Sequence, residues 1–303
     1  MYLHDDSLLF SQLVSRTADY RGIPEAYVVK DYFVVAFLRK ATLANPSLVF
    51  KGGTCLSKCY QAIDRFSEDI DLGLRSSHAT EGMRKSLKRT VVEATGTLGM
   101  VIDNLDRTRS RREFNRFVVS IPAGLNSNEE DKILIETAVM TPADPAEYRS
   151  LQSFIGEYCA AEGFDDVIKE YDLAPFEMLA NSLERTFCDK VFALCDYYLS
   201  GDILSRQSRH VYDLYKLLDR VTCNDDLVRL MGTVREQRRG VFRCLSAEPD
   251  VCVPDVLEEI VRKEVYRKDY ERVTMPLLYE DVLYDEASGA LDAVERFLRE
   301  AGW

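Results

Sequence analysis

KGGTCLSKCYQAIDRFSEDIDLGL, residues 51–74, is the stretch on which the fold of this 303-residue chain turns. It follows a short apolar run, Ser47-Leu48-Val49-Phe50, that closes at Gly52-Gly53 and so reads as a buried strand ending in a tight turn. Thr54 stands where a helix cap belongs, and a helix is expected from there to about Ile63. Asp69-Ile70-Asp71-Leu72-Gly73-Leu74 then alternates polar and apolar up to Gly73, as a half-buried strand does. A side-chain period of two sends both carboxylates to one face and Ile70 and Leu72 into the core. Two like charges that close repel unless a cation lies between them, so a divalent metal is the natural partner. Mg²⁺ takes a few carboxylates together with substrate phosphates and supports in-line displacement on a nucleoside triphosphate. Glycine lets backbone come close to an anion, which makes the N–H groups of Gly52, Gly53 and Thr54 candidate triphosphate contacts. Lys58, about one helical turn after Thr54, reads as a cation over the same anion or as a solvated helix lysine. Ser67 reads as a phosphate contact or a turn cap. For Asp69 and Asp71 the plain alternative is a solvent-facing acid pair.

Upstream, Leu8, Leu9, Leu13 and Val14 form one helical stripe, and a second helix is expected over Ile23 to Arg39 with Pro24 in its first turn. Downstream, a helix is expected from about Glu81 to Thr97, then strands near Met100 to Leu105, Phe114 to Ile121 and Lys132 to Val139. Glu136, flanked by Ile135 and Thr137 in the last of these, is the candidate third metal carboxylate; otherwise it is an edge-strand glutamate facing water. The pattern changes after Pro142 and Pro145, and from about Tyr148 onward it is helical, with stripes such as Phe187, Val191, Leu194, Tyr198 and Val211, Leu214, Leu217, Leu218. The expected architecture is α+β: a small mixed sheet with flanking helices over residues 1–147, then a helical bundle over 148–303.

Composition narrows the function classes. Hydrophobic residues make up 46% and charged residues 30%, which suits an ordinary folded protein. Eight cysteines without a C-x-x-C pair, and only three histidines, argue against a zinc site. No basic leader and no apolar stretch long enough for a bilayer is present, so a cytoplasmic protein with reduced thiols and no membrane partner is expected. A net charge of −12 argues against a general nucleic-acid coat, since phosphate neutralisation dominates such binding. A local basic surface is still compatible with it. Arg107, Arg109, Arg111, Arg112 and Arg116, interleaved with Phe114 and Phe117, offer charge and stacking to RNA or else a solvated face. Arg235, Arg238, Arg239 and Arg243 form a second such cluster.

Glycine turn, helix, then D-x-D on the next strand resembles the DNA polymerase beta-like nucleotidyltransferases. The 51–74 stretch more specifically resembles the AbiEii/AbiGii-type nucleotidyltransferases, many of them toxins of type IV-like toxin–antitoxin pairs. Further similar motifs follow the same order: Val29-Lys30-Asp31-Tyr32, the helical lysine motif Phe187 to Leu194, Arg209-His210-Val211-Tyr212-Asp213-Leu214, and Tyr266 to Tyr270. The resemblance implies Asp69 and Asp71 as catalytic metal ligands, Lys190 as a triphosphate contact, and Asp213 as the group that orients or deprotonates the incoming hydroxyl. A lysine suits phosphate as a point charge, and a carboxylate within hydrogen-bond reach can serve as base. The resemblance would place the site in a cleft between the two domains. Without it, Lys190 reads as a surface lysine and Asp213 as an ion-pair partner of Lys216. His210 departs from the pattern, standing where the family often carries an acid.

The resulting expectation is an Mg²⁺-dependent enzyme that transfers a nucleoside monophosphate from an NTP, releases pyrophosphate, takes the 3′ end of tRNA as acceptor, and has a cognate antitoxin. The alternatives are transfer to a protein side chain and a non-catalytic member of the fold.

Overall fold

The computed structural model describes residues 1–67, 69–76, 79–109, 112–125, 132–201, 203 and 205–303. The chain divides into two compact units: residues 1–59 with 67–180, and residues 60–66 with 181–303.

The first unit opens with α1 (Ser7–Arg21) and α2 (Glu25–Ala44). Asp6 caps α1 by accepting from the Leu9 N–H, and Gly22 ends it in the left-handed conformation that glycine adopts without a Cβ penalty. Phe10, rather than Leu8, joins Leu13 and Val14 in the core, and Leu8 is exposed. Pro24 sits at the cap of α2, which is buried almost all round, with Val28, Phe33, Phe37 and Leu38 inaccessible to solvent. This central helix packs on α1, on α4 (Glu81–Thr97) and on α5 (Phe154–Ala161).

Beside these helices lies a sheet of seven strands among the described residues: β1 (Leu48–Lys51), β2 (Ile70–Leu74), β3 (Val101–Ile102), β4 (Phe114–Ser120), β5 (Lys132–Ala138), β6 (Ala146–Leu151) and β7 (Phe176–Asn181). Their order is β3-β4-β5-β2-β1-β7-β6. β2 runs antiparallel to β1 and parallel to β5, and β1 runs parallel to β7, so the sheet is mixed as expected. β4 and β5 alternate cleanly, with Phe117, Val119, Ile133 and Ile135 on the buried face. The strand expected over Met100 to Leu105 shrinks to Val101–Ile102, because the chain turns at Asp103 and Asn104 and then enters a 3₁₀ segment, Leu105–Arg107.

The boundary differs from the expected one. Residues 146–180 are not a continuation of a helical bundle; β6 and β7 extend the sheet beyond β1, and α5 and α6 (Asp165–Glu170) lie between them in sequence. The observed change of unit follows Ala180, and a cut at 147/148 falls inside β6. The six-residue edge strand is largely exposed, with Tyr148, Arg149 and Glu147 facing water, and this polar pattern hid it from a search for apolar alternation.

The second unit is helical. α7 (Leu183–Ser200) is capped by Ser182, which accepts from the Arg185 N–H, and packs on α8 (Arg209–Leu218), α9 (Asp225–Arg238) and α10 (Val253–Arg262). After the short turn α11 (Arg267–Asp269), α12 (Tyr284–Glu300) closes the bundle against α8 and α10. The expected stripes form its core: Phe187, Val191, Leu194, Val211, Leu214 and Leu217 are all fully buried. Tyr266 and Tyr270 are also inaccessible, and their hydroxyls donate to the carbonyls of Leu194 and Val282. All eight cysteines are free thiols. Among the described residues no helix is long and apolar enough to cross a membrane.

Candidate active site

β1 ends at Lys51, and the chain turns directly into α3 (Gly52–Tyr60). Gly52 has φ +76°, a conformation that residues with a Cβ rarely adopt. A Cβ there would lie 1.9 Å from Asp71 Oδ2, so the turn and the second aspartate are fitted to each other. Thr54 is not the cap of α3, which starts at Gly52 itself. Its buried hydroxyl donates to the Asp69 carbonyl at 2.5 Å and lies 3.0 Å from Ser67 Oγ. The two hydroxyls therefore tie the first turn of α3 to the segment entering β2.

On β2 the half-buried Asp69 and Asp71 alternate with the fully buried Ile70 and Leu72, as the period of two requires. Register then builds a charged row across four strands. Asp71 lies opposite Lys51 on β1 and beside Glu136 on β5, and Glu136 lies opposite Arg116 on β4. Glu136 is turned toward Arg116, whose Nε is 2.5 Å from its carboxylate. Among the described residues no three His, Cys, Asp or Glu side chains gather as a metal site, so the expected trio of Asp69, Asp71 and Glu136 is not assembled. The guanidinium across the strand pair outcompetes a second carboxylate as neighbour for Glu136. Arg116 and Lys51 thus belong to the candidate site, and only knowledge of the register reveals it.

Lys58 is neither solvated nor at the turn. Its ammonium lies 2.7 Å from Asp31 Oδ1. Gly52→Ala is expected to cut the transfer reaction that the resemblance implies by about a hundred-fold, because the new methyl would displace the Asp71 carboxylate. Single-turnover transfer by the folded variant checks this, and a rate near that of the unsubstituted protein would refute the coupling.

In the second unit, Arg65, Lys190, His210 and Asp213 form a buried polar cluster. Arg65 donates through Nε to Asp213 Oδ1 at 2.7 Å and through Nη2 to Oδ2 at 2.8 Å, while Lys190 Nζ donates to Oδ2 at 2.5 Å. Burial alone would raise the Asp213 carboxyl, but Arg65 and Lys190 hold it well below the usual carboxylate range. Burial lowers Lys190, opposed by Asp213, and burial with the Lys190 charge keeps His210 far below its ordinary value and neutral. Lys190 Nζ lies 3.3 Å from His210 Nδ1.

Asp213 is thus a fully buried carboxylate that accepts three N–H donors on its two oxygens. Lys190 is likewise committed to Asp213, not exposed as a surface lysine. Lys216 pairs with Asp64 and Glu280 instead of Asp213. Arg65 was missed in the sequence, although it lies only four residues before Asp69.

The profile of the family described as "Nucleotidyl transferase AbiEii toxin, Type IV TA system" matches residues 36–298, a span that holds every residue of the glycine turn, the D-x-D strand and the buried cluster. The chain belongs to the AbiEii nucleotidyltransferase toxin family. It is therefore a nucleotidyltransferase of a toxin–antitoxin system, with an NTP substrate and a cognate antitoxin implied. No curated protein matches it. Solved structures share the fold, among them MenT4 and JHP933. MenT4, a nucleotidyltransferase toxin from Mycobacterium tuberculosis H37Rv, is similar over 95% of this chain and 89% of that one, with 18% identity and a TM-score of 0.54. JHP933 from Helicobacter pylori is similar over 92% of this chain and 94% of that one, with 17% identity and a TM-score of 0.50.

In this AbiEii member the basic residues fall into two groups. Arg107, Arg109, Arg112 and Arg116 are exposed, and Arg111 lies outside the described residues. Phe114 is 39% exposed, but Phe117 is fully buried on the inner face of β4 and offers no stacking platform. The second cluster is mainly structural. Arg235 donates to the carbonyls of Glu248 and Val251, and Arg238 pairs with Asp196 at 2.5 Å; only Arg239 and Arg243 are exposed.

Proposed function

We propose that this AbiEii member is an Mg²⁺-dependent enzyme that transfers a nucleoside monophosphate to the 3′ end of tRNA and acts in the cytoplasm. The observation that carries the reading is the fit of Gly52 to Asp71, which sets a glycine turn against the second aspartate of a strand-borne pair. A divalent cation fits this donor set: Asp69 and Asp71 supply hard oxygen ligands, and a triphosphate and water complete an octahedral ion that demands few protein ligands. When bound, that ion would supply charge stabilisation at the transferring phosphoryl group. Glu136 joins the set only by leaving Arg116.

Around the ion, the chain's own residues orient the substrate. The N–H groups at the start of α3 would bind anionic oxygens, and Gly52 adds no side chain of its own beside Asp71. Lys51, opposite Asp71, adds positive charge to the same row. The exposed arginines Arg107, Arg109 and Arg112 support the nucleic-acid acceptor. The net charge of −12 favours a second reading, transfer to a protein side chain, because an acidic protein gains less from RNA phosphates.

Incubation with α-labelled NTPs, Mg²⁺ and cell extract separates the two readings. Label should be lost to RNase and migrate with tRNA; label that survives RNase and is lost to protease would overturn the tRNA assignment. Replacing Arg107, Arg109 and Arg112 together by alanine is expected to weaken tRNA binding and to reduce the slope of log affinity against log salt by about 2. NTP binding should be unchanged. A triple variant with the original slope would remove these arginines from the acceptor surface.

A further inference from the structure

α3 carries the glycine turn at its first residue and Lys58 at its seventh, about 9 Å along the helix axis. The Lys58 and Asp31 side chains are only 5% and 6% exposed, with Nζ 2.7 Å from Oδ1. The other Asp31 oxygen accepts the backbone N–H of Phe154 at 2.6 Å, at the first residue of α5. The Phe154 ring in turn lies under the Lys58 ammonium at 4.0 Å to its centroid, and under the Arg21 guanidinium of α1 at the same distance. One buried carboxylate on α2 therefore fixes α3 through an ion pair and α5 through its first turn. Nothing in the proposed reaction uses this pair directly.

We propose that Asp31 and Lys58 are positioning residues for the triphosphate: they hold α3 at the setting in which the Gly52 turn meets Asp71. The inference rests on the reading of that turn as the triphosphate site. It replaces the alternative in which Lys58 touches phosphate itself, since its charge is already matched by Asp31 and its ammonium lies over the Phe154 ring. The fit at Gly52 is tight enough that a small tilt of α3 would reach it, since the virtual Cβ there sits 1.9 Å from the Asp71 carboxylate. Removing one member of the buried pair leaves an uncompensated charge, whereas removing both leaves Glu157 nearby, which Arg21 still pairs.

That contrast supplies the test. Asp31→Asn, Lys58→Met and the double variant are compared with the unsubstituted protein. Calorimetric titration with each of the four ribonucleoside triphosphates and Mg²⁺ gives binding, kcat and KM give turnover, and thermal midpoints give stability. The amide introduced at position 31 can still accept from the Phe154 N–H, and methionine at position 58 removes the charge while keeping an unbranched side chain of similar length. Each single variant is expected to weaken triphosphate binding and raise KM by about ten-fold, with a smaller change in kcat. The double variant is expected to recover to within about three-fold of the unsubstituted protein.

If Lys58→Met and the double variant are equally impaired while Asp31→Asn binds normally, Lys58 is a direct phosphate ligand and the proposal fails. If the single variants melt earlier but bind triphosphate normally when folded, the pair serves stability alone and the proposal also fails. Should a single variant not fold, the double variant decides: normal affinity supports positioning, and lost affinity refutes it. Failure of the site reading is a separate result, since the unsubstituted protein would then bind none of the four triphosphates.

Discussion

Asp71→Asn should lower nucleotidyl transfer by about a thousand-fold or more, the scale expected when a group acting on the transferring phosphate is removed. The amide keeps the shape that fits against Gly52 but loses the charge needed to hold a divalent ion. Folding should not suffer. Asp71 has Lys51 opposite it on β1 and Glu136 beside it on β5, so removing its charge loses an attraction and relieves a repulsion, with little net change in stability expected. Asp69→Asn should behave alike. Transfer of label under single-turnover conditions, with the thermal midpoint measured beside it, checks both halves. A folded Asp71→Asn protein with undiminished transfer would end the assignment of the D-x-D pair to chemistry.

The second large effect concerns stability. Asp213→Asn leaves the Arg65 guanidinium and the Lys190 ammonium buried without their carboxylate, and should destabilise the second unit by about 3–5 kcal/mol. Arg65→Met should act in the same direction. The pH dependence follows from the depressed Asp213 carboxyl, since a group bound more weakly by protons when folded stabilises the fold above its unfolded value of 3.8. That contribution is complete above pH 3.8 and is lost as pH falls below it toward the folded value. The difference in unfolding free energy between the unsubstituted protein and Asp213→Asn should therefore be flat from pH 7 to about 4 and shrink below that. A constant difference across the whole range would mean that Asp213 is not the ionised partner described.

Much of the site was legible because local chemistry fixed it. The alternation around Asp69 to Leu72 required one face for the acids, and Gly52-Gly53 had to be a turn that admits close approach. The α4 bounds and the cores of α7 and α8 followed from helical periodicity. What remained hidden depended on pairing between distant segments. Lys51, Asp71, Glu136 and Arg116 form a row only after four strands are set in register, and no local pattern encodes that register. The same holds for Lys58, whose partner Asp31 is far away in sequence, and for Arg65 with Asp213. β6 escaped because an exposed edge strand of mixed polar residues has no apolar face to announce it.

The buried cluster also separates resemblance from geometry. Motif order pointed to Lys190 and Asp213 as reacting groups, yet the structure satisfies them with each other and with Arg65 inside the helical unit. The proposed chemistry is carried by the first unit's turn and acids, and in the second unit Arg65, Lys190 and Asp213 hold one another in a buried cluster.

Binding of Mn²⁺, read by electron paramagnetic resonance in the presence of a non-hydrolysable triphosphate, tests the central claim most directly because it needs no turnover and no acceptor. The unsubstituted protein should hold the ion together with the nucleotide, and the Asp69→Asn/Asp71→Asn protein, folded, should leave it free. Equal Mn²⁺ binding by both proteins would contradict the account.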